Sequence, residues 1–367
     1  MSVLILGGGI IGLSIAYQLA RLGKSCTLIE AGIPGQEASA AAGGMIGPQM
    51  EAHEPGPLLE LGLLSRKLWP TFVAQLEKDA QMPVELRRFG AIRVALEPSQ
   101  AKELEQTAQW QKAQGLRLEL LDTHEARALE PALSPGVLKA LHFPEDLQVD
   151  SPALLRALLA ATLNLGVTIQ RKKAQAIVER QGRVIGAMVE GQQLEAEHVV
   201  VAMGAWSSLL QGLPLPAQSI YPYRGQMVEV EGPRPLFRHF IMATGAYAIP
   251  RTDGRVTLGS TMENVGFNKS NTPQGLGHIL SMAQNYCPQL GTATFLRCFA
   301  GLRPATTDTL PLLSKTPQGL VLATGHFRNG IALAPITAQL VAELVCGKTP
   351  SFDLRPFCHT RFANTPT

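Results

Sequence analysis

Charged residues are scarce in this sequence of 367 residues: Asp, Glu, Lys and Arg make up 17% of it, whereas hydrophobic residues make up 46%. Disordered chains show the opposite balance, so the composition predicts a globular protein, and its length allows two or three domains. The 32 basic and 29 acidic residues leave a net charge of +3, and the arginines are scattered along the chain. Nucleic-acid-binding proteins concentrate basic residues in a stripe or patch, so nucleic acid is excluded as a partner.

The sequence also lacks the cysteine spacings of a disulfide framework or a zinc site. The five cysteines are odd in number and include no C-x-x-C pair; they are Cys26, Cys287, Cys298, Cys346 and Cys358. We therefore expect free thiols in a reducing compartment and no bound metal.

Only one hydrophobic run, residues 3–20, approaches the length of a membrane span. It contains four glycines, no basic residues precede it, and no A-x-A cleavage site follows it. These features argue against both a transmembrane helix and a signal peptide. We expect a cytoplasmic protein with no membrane span.

The same run predicts a dinucleotide-binding βαβ unit. Residues 3–6 indicate a strand, residues 10–22 a helix and residues 26–30 a second strand, with G-x-G-x-x-G at Gly7, Gly9 and Gly12. The first glycine permits a tight turn, the second lets backbone approach a pyrophosphate, and the third allows close helix–strand packing. Glu30 ends the second strand, where a carboxylate can accept both ribose hydroxyls and would repel the 2′-phosphate of NADP. This pattern favours NAD or FAD; an ordinary glycine turn with a solvated Glu30 is the alternative.

The remaining chain divides into α/β ends and a middle rich in antiparallel strands. Helices are predicted at residues 58–79, 100–115, 151–165 and 335–345. Strands are predicted at 87–96, 167–170, 178–189 with a turn at Gln181-Gly182, 194–202, 221–230, 247–250, 255–260 and 319–324. Ser151 is the predicted N-cap of its helix, with Pro152 at the first helical position. The last 20 residues are expected to form a loose tail.

Three segments favour a flat cofactor. The runs SAAAGGMI at residues 39–46 and VVVAMGAWS at 199–207 contain small residues that let backbone lie against a ring system. The segment GHFRNGI at 325–331 leads into the last predicted helix, whose N-terminus could face the negative charge of a reduced isoalloxazine.

The glycine motif and five further segments resemble the FAD-dependent D-amino acid oxidase superfamily, and within it the glycine oxidase family of the thiamine pathway. These segments are AMGAWS at 202–207, YAIPR at 247–251, GSTME at 259–263, GLRP at 301–304 and GHFRNG at 325–330, in the family's order. The resemblance implies an α/β (α+β) fold with a Rossmann-like FAD-binding domain of discontinuous segments, residues 1–81, 144–214 and 301–367. An antiparallel-sheet substrate domain would take residues 82–143 and 215–300.

The resemblance further implies non-covalent FAD. Related sarcosine oxidases attach flavin through a cysteine, whereas the matching neighbourhood here reads Gly301-Leu302-Arg303, with Cys298 upstream. The expected cofactor contacts are Gly7, Gly9, Ile10, Ile11, Gly12, Glu30, Ala31, Ala38, Ser39, Gly43, Gly44, Met45, Gln175, Gly204, Trp206, His326, Phe327, Arg328, Asn329, Gly330, Ile331 and Ala332.

By the same resemblance, Arg303 holds the substrate carboxylate, with Arg328 and Tyr247 beside it and Met262 lining a small pocket. A guanidinium presents a planar fork to a carboxylate and cannot lose its charge. A surface role for Arg303, backbone bonding by Arg328 and core packing by Met262 remain open alternatives. His326 invites a role as general base, but a neutral amine can lose hydride to a flavin without one, so a cofactor-side role is expected.

The expected activity is FAD-dependent oxidative deamination of glycine, sarcosine, D-alanine or D-proline to an imine and then a 2-oxo acid, with oxygen reduced to hydrogen peroxide. One alternative is a flavin-dependent D-amino acid or N-alkyl amino acid dehydrogenase that passes electrons to a quinone or carrier. Another is a non-catalytic flavin-binding subunit, against which the paired arginines count. A homo-oligomer and association with thiazole-synthesis enzymes are left open.

Overall fold

A computed structural model describes residues 1–232 and 236–362. Its helices are α1 (Ile10–Arg21), α2 (Ala38–Ala41), α3 (Pro48–Glu51), α4 (Pro57–Ala80), α5 (Pro98–Ala113), α6 (Thr123–Leu129), α7 (Ser151–Asn164), α8 (Pro273–Tyr286) and α9 (Gly330–Val345). Short 3₁₀ helices lie at Gly204–Leu209, Pro288–Thr292, Arg355–Phe357 and His359–Phe362.

The strands, in chain order, are β1 (Ser2–Leu6), β2 (Ser25–Glu30), β3 (Met45–Ile46), β4 (Leu86–Arg87), β5 (Ala91–Ala95), β6 (Glu119–Asp122), β7 (Lys139–Phe143), β8 (Leu147–Val149), β9 (Thr168–Arg171), β10 (Ala174–Arg180), β11 (Arg183–Val189), β12 (Gln192–Glu195), β13 (His198–Val201), β14 (Ile220–Glu231), β15 (Phe240–Ala243), β16 (Ala246–Pro250), β17 (Arg255–Gly259), β18 (Thr294–Thr306), β19 (Leu312–Lys315) and β20 (Leu320–Thr324).

A six-stranded sheet in the order β19-β20-β13-β1-β2-β9 forms one half of the molecule. Its neighbours are parallel except β19 and β20. Alternate residues of β1 point to opposite faces: Val3 and Ile5 pack against α1, α4, α7 and α9, whereas Leu4 and Leu6 pack against the small antiparallel sheet β10-β11-β12. Helices and a second sheet therefore cover the two faces, which explains why the central strands are almost wholly apolar.

An eight-stranded sheet in the order β18-β14-β17-β16-β15-β5-β7-β6 forms the other half. It is antiparallel except where β15 pairs with β5. Helix α8 covers one face, and α5 covers part of the other. The short sheet β3-β8-β4 contacts both halves: Ile46 and Leu147 belong to the core of the first, and Gln148 Nε2 donates to the Pro250 carbonyl of β16 in the second. This mixture of a parallel and an antiparallel sheet confirms the predicted fold class.

Three predicted features of local structure are wrong. The predicted strand at residues 87–96 is divided into β4 and β5, which belong to different sheets. The N-cap of α7 is Asp150, whose Oδ1 accepts the backbone N–H of Ala153 at 2.8 Å, while Ser151 is already helical. The predicted strand at residues 194–202 is divided into β12 and β13, which belong to different sheets.

Helix α9 begins at Gly330, five residues before the predicted start, and Pro335 lies inside it. The helical turn before Pro335 is hydrogen-bonded to α4. The carbonyl oxygen of Ala332 accepts hydrogen bonds from Ser65 Oγ at 2.6 Å and Trp69 Nε1 at 3.1 Å. Packing against α4 therefore supports a helical turn at a proline that would otherwise disrupt it.

The predicted loose tail is packed as far as residue 362. Phe357 and Phe362 are buried, and Arg361 Nε lies 2.6 Å from Asp308 Oδ2. Residues 363–367, also part of the predicted tail, lie outside the described residues.

Three further properties concern the described residues alone. All five cysteines are free thiols. Within residues 1–232 and 236–362, no helix combines the length and the apolar composition needed to cross a bilayer. Over the same ranges, no group of three or more His, Cys, Asp and Glu side chains could hold a metal ion.

Gly12 controls how closely α1 approaches β1. A Cβ at this position would overlap the carbonyl oxygen of Gly7, which is backbone and cannot move aside freely. We expect Gly12→Ala to reduce the free energy of unfolding by about 1–3 kcal/mol, measured by urea denaturation. Gly277, within α8, is the matched control because a Cβ there would meet nothing within 4 Å. Gly277→Ala should leave the free energy of unfolding unchanged or raise it by about 0.5–1 kcal/mol. A Gly12→Ala protein as stable as the parent would contradict this account.

Candidate functional site

A cavity of about 520 Å³ lies where the two halves meet. It extends from the carboxyl ends of β1, β2, β13 and β20 to the middle of β14 and β18. Every residue predicted to contact the cofactor lines it except Gly12, which lies behind the glycine turn. Arg303, Tyr247 and Arg328 line it as well, so the fold brings the predicted cofactor and substrate residues to one space.

The glycine turn after β1 has the geometry that the motif predicts. Gly7 has φ +103°, and a Cβ there would overlap the carbonyl oxygen of Ala202. The Glu30 carboxylate is fixed at this turn because Oε2 accepts the N–H of Gly8 at 2.7 Å and Oε1 that of Gly32 at 2.8 Å. Each oxygen of a carboxylate accepts more than one hydrogen bond, so Glu30 keeps the capacity to bind ribose hydroxyls.

Two helices begin at the cavity wall. The N-cap residues of α1 and α9, Gly9 and Asn329, make no side-chain capping bond. For α1, Ser39 Oγ instead accepts the N–H of Ile10 at 2.9 Å. Both helices therefore direct positive potential into the cavity, as a pyrophosphate or a negatively charged ring requires.

The segment of small residues before β3 forms a wall of the cavity, and Arg251 supports it. Arg251 Nη2 donates to the Gly43 carbonyl at 2.8 Å, and Nη1 donates to the Val149 carbonyl at 3.1 Å. Gly44 has φ +85°, and a Cβ there would overlap the same Val149 carbonyl. Glycine is thus required for this wall to lie against β8. Together with the glycine turn, Glu30 and the two helix ends, the wall fits a bound dinucleotide.

His326 lines the cavity but is almost completely buried, with 2% of its surface exposed. Its Nε2 lies 3.0 Å from Thr337 Oγ1, and burial lowers its pKa to about 3. The imidazole is therefore neutral at physiological pH and is too weakly basic to take a proton from a substrate readily. This environment supports the expected cofactor-side role.

Arg303 projects from β18 across the neighbouring strand β14. Its guanidinium lies over Gly225, where a Cβ would overlap it. Nη2 donates to Ser260 Oγ at 2.6 Å and Nη1 to the Thr261 carbonyl at 3.2 Å. Over the ranges that the structure describes, no carboxylate forms a salt bridge with it. Burial lowers the pKa of Arg303, and the Glu51 charge acts on it in the opposite direction, but a guanidinium keeps its proton. A positive charge with no salt-bridge partner among the described residues therefore faces the cavity.

Tyr247 and Arg328 lie beside Arg303 but have partners of their own. The buried Tyr247 hydroxyl donates to Met227 Sδ at 3.1 Å. Arg328 Nη2 lies 2.8 Å from Glu51 Oε1, and this carboxylate raises the pKa of Arg328. Glu51 carried no sequence signal, because its partner is 277 residues away.

Met262 does not lie where the resemblance implies. Its side chain is 43% exposed and does not line the cavity. The preceding residue, Thr261, points inward, since its Oγ1 accepts the N–H of Gln226 at 2.9 Å. Adjacent residues of an extended segment face opposite sides, so Met262 points outward. Met227 lines the cavity next to Tyr247 instead.

Other cavity residues lacked a recognisable signal in the sequence. Besides Glu51 and Met227, they include Glu37, Lys172, Lys173, Leu209, Gln211, Gly225 and Thr324.

Comparison with known proteins gives consistent matches along the chain. The family described as FAD dependent oxidoreductase matches residues 2–344. A glycine oxidase of Geobacillus kaustophilus is 34% identical over 98% of this chain and 96% of its own, and its crystal structure superposes with a TM-score of 0.94 over 98% of both chains. A bifunctional protein ThiO/ThiG of Synechocystis is 36% identical over 99% of this chain, which spans 54% of that protein. The structure of an iminodiacetate oxidase from Chelativorans matches with 27% identity and a TM-score of 0.87, over 97% of this chain and 98% of that one.

The burial of His326 predicts a pH dependence of stability. Its pKa is about 3 in the folded protein against an ordinary value of 6.5, so below pH 6.5 the unfolded chain binds a proton that the folded chain does not. Lowering the pH from 6.5 to 5 should therefore decrease stability, by about 1.6 kcal/mol from this residue. We expect urea denaturation at these two pH values to show a smaller loss for His326→Gln than for the parent. Equal losses in both proteins would show that His326 does not resist protonation.

Proposed function

Because the chain belongs to the family of FAD dependent oxidoreductases and is an FAD-dependent amino acid oxidase, we propose that it oxidises glycine and other small amino acids. The proposed substrates are glycine, sarcosine, D-alanine and D-proline. Each would give an imine that water hydrolyses to a 2-oxo acid and ammonia or an amine, with oxygen reduced to hydrogen peroxide. The glycine oxidases among its relatives support this choice of substrate.

One observation carries the proposal: a half-buried guanidinium, that of Arg303, faces the cavity without a salt-bridge partner among the described residues. A buried charge is costly unless it is paired, so the site favours an anionic ligand. The carboxylate of an amino acid can accept two parallel hydrogen bonds from this fork. Ser260 and Thr261 hold the guanidinium in place before the ligand arrives, which reduces the ordering needed on binding.

FAD, when bound, supplies the acceptor for the two electrons and the hydrogen that leave the substrate α-carbon. We propose that the protein holds it through the cofactor contacts predicted from the sequence, with Glu30 and the α1 N-terminus at the nucleotide end. No cysteine is among the described residues that line the cavity, which supports non-covalent binding. Arg303 would fix the substrate carboxylate, and the neutral His326 would pack on the cofactor side without taking a proton.

The cavity near Arg303 favours small substrates. Tyr247 is buried and joined to Met227, and both line the space next to the guanidinium. A bulky side chain would have to displace these groups, and displacing close-packed side chains costs about 1–3 kcal/mol. We therefore propose that Met227 and Tyr247 limit the substrate side chain.

The organisation of the chain and its partners are proposals as well. The two large sheets support the division into residues 1–81, 144–214 and 301–367 and residues 82–143 and 215–300, although β4 and β8 pair across it. The ThiO/ThiG relative, in which a sequence like this one is joined to a second part, supports association with a thiazole-synthesis enzyme. The free thiols support a reducing compartment such as the cytoplasm.

The proposed reaction is tested by peroxide release from the purified flavoprotein. We expect glycine, sarcosine, D-alanine and D-proline to give higher kcat/KM values than D-phenylalanine and D-aspartate, because the site is small and a second charge is costly there. If D-phenylalanine or D-aspartate were the best substrate, the assignment of a small pocket would be overturned. If the substrate reduced the flavin but only a quinone reoxidised it, the protein would be a dehydrogenase.

The carboxylate contact is tested by Arg303→Ala. Loss of a charge-assisted pair should reduce kcat/KM for glycine by about 30-fold or more. Arg303→Lys should recover only part of this loss, since an ammonium keeps the charge without the fork. The matched control is Arg297→Ala on the same strand, because Arg297 is 58% exposed and pairs with Glu229. Near-normal kcat/KM in Arg303→Ala would mean that another residue binds the carboxylate.

A further inference from the structure

Two arginines line the substrate end of the cavity, and their charges are compensated differently. Arg303 forms no salt bridge among the described residues and feels the Glu51 charge only from a distance, whereas Arg328 lies 2.8 Å from Glu51. The side chains of Glu51 and Arg328 are 19% and 33% exposed, so solvent screens their attraction only in part. Two guanidinium groups and one carboxylate leave one positive charge, which balances the negative charge of a single substrate carboxylate.

We propose that Glu51 determines how many anionic groups a substrate can carry. By occupying Arg328, it restricts the cavity to amines with one carboxylate and selects against amines with two. This inference rests on the proposed function of the cavity as an amino acid site. It makes Glu51 a specificity-determining residue, and it gives Arg328 a role different from that of Arg303.

Glu51 is held rigidly enough to act in this way. It is the last residue of the short helix α3. A buried network of hydrogen bonds holds this helix on the side away from the cavity. Asp146 Oδ2 accepts the N–H of Met50 at 3.2 Å, and Asp146 Oδ1 lies 2.8 Å from Arg66 Nη1. The same Arg66 atom donates to Gln49 Oε1 at 2.6 Å. Because Asp146 and Gln49 are completely buried, α3 cannot shift without breaking this network.

Removal of the Glu51 charge should therefore weaken the selection against ligands with two carboxylates. In Glu51→Gln, Arg328 keeps a hydrogen-bond acceptor of similar size but loses its counter-charge. A second carboxylate on the ligand can then pair with Arg328, while the first pairs with Arg303. Ligands with one carboxylate gain much less, because they already have Arg303.

The experiment compares the FAD-loaded parent with Glu51→Gln. Acetate and malonate, which carry one and two carboxylates, are titrated separately while the flavin absorbance is followed. We expect the ratio of the acetate Kd to the malonate Kd to rise about 10-fold or more in the variant, as for a gained charge-assisted pair. The ratio of kcat/KM for iminodiacetate, which is glycine with a second carboxymethyl group, to that for glycine should rise in parallel.

Two further variants identify the groups involved. Glu54→Gln is the matched control, since Glu54 is an exposed acid three residues away and should leave both ratios unchanged. In the double variant Glu51→Gln/Arg328→Gln the gain for malonate should disappear, because no second guanidinium remains. A gain that persisted in the double variant would overturn the role assigned to Arg328.

An unchanged acetate-to-malonate ratio in a folded, flavin-containing Glu51→Gln protein would overturn the proposal. If that variant does not fold, Arg328→Gln provides the same test, because the unpaired Glu51 should then weaken malonate binding relative to acetate. An unchanged ratio in Arg328→Gln would likewise overturn it. If the parent binds these acids with the expected selectivity but oxidises no small amine, the charge selection stands and the proposed function fails.

Discussion

The close approach of two backbones at the carboxyl ends of β1 and β13 is the constraint on which the cavity depends. Gly7 lies against Ala202 so tightly that a Cβ would overlap the Ala202 carbonyl. This contact turns the chain away from the sheet and directs the N-terminus of α1 toward the cavity. Gly12 imposes a similar constraint within α1. A Cβ there would overlap the Gly7 carbonyl oxygen, so glycine lets α1 pack against the glycine turn. Without these contacts, Glu30 and Ser39 could not both reach backbone N–H groups at the cavity edge.

A second close approach, in the antiparallel sheet, shapes the end of the cavity where we propose that the substrate binds. Gly225 on β14 and Gly301 on β18 are paired in register, and Arg303 pairs with Tyr223 two residues further along. The absence of a side chain at Gly225 leaves the space that the Arg303 guanidinium fills. Strands β14 and β18 pair over almost their whole lengths, so the guanidinium is held on a rigid element rather than on a loop. Glycines therefore shape both ends of the cavity, although only those after β1 form a recognisable motif.

The sequence indicated the parts of this site that depend on local patterns. The βαβ unit, the acid at the end of β2 and the small-residue segments follow from spacing within about 40 residues of chain. Glu51 could not be found in this way, because its role depends on a partner 277 residues away. Met262 shows the converse error: the resemblance implied a place in the pocket, but the inward hydrogen bond of Thr261 turns the next side chain outward. The early start of α9 likewise depends on tertiary contacts from Ser65 and Trp69.

The electrostatic potential of the cavity depends on which of its charged groups have partners within the protein. Its three described carboxylates all have protein partners: Glu30 accepts two backbone N–H groups, Glu37 lies 3.1 Å from Lys269, and Glu51 pairs with Arg328. The Arg303 guanidinium lacks such a partner among the described residues, and the N-termini of α1 and α9 lack side-chain caps on their N-cap residues. A cavity with satisfied acids and unsatisfied donors attracts anions along its whole length. This excess of positive charge and free donors favours an anionic dinucleotide at one end of the cavity and a carboxylate at the other. We propose that Glu51 limits the excess near Arg303 and Arg328 to a single positive charge.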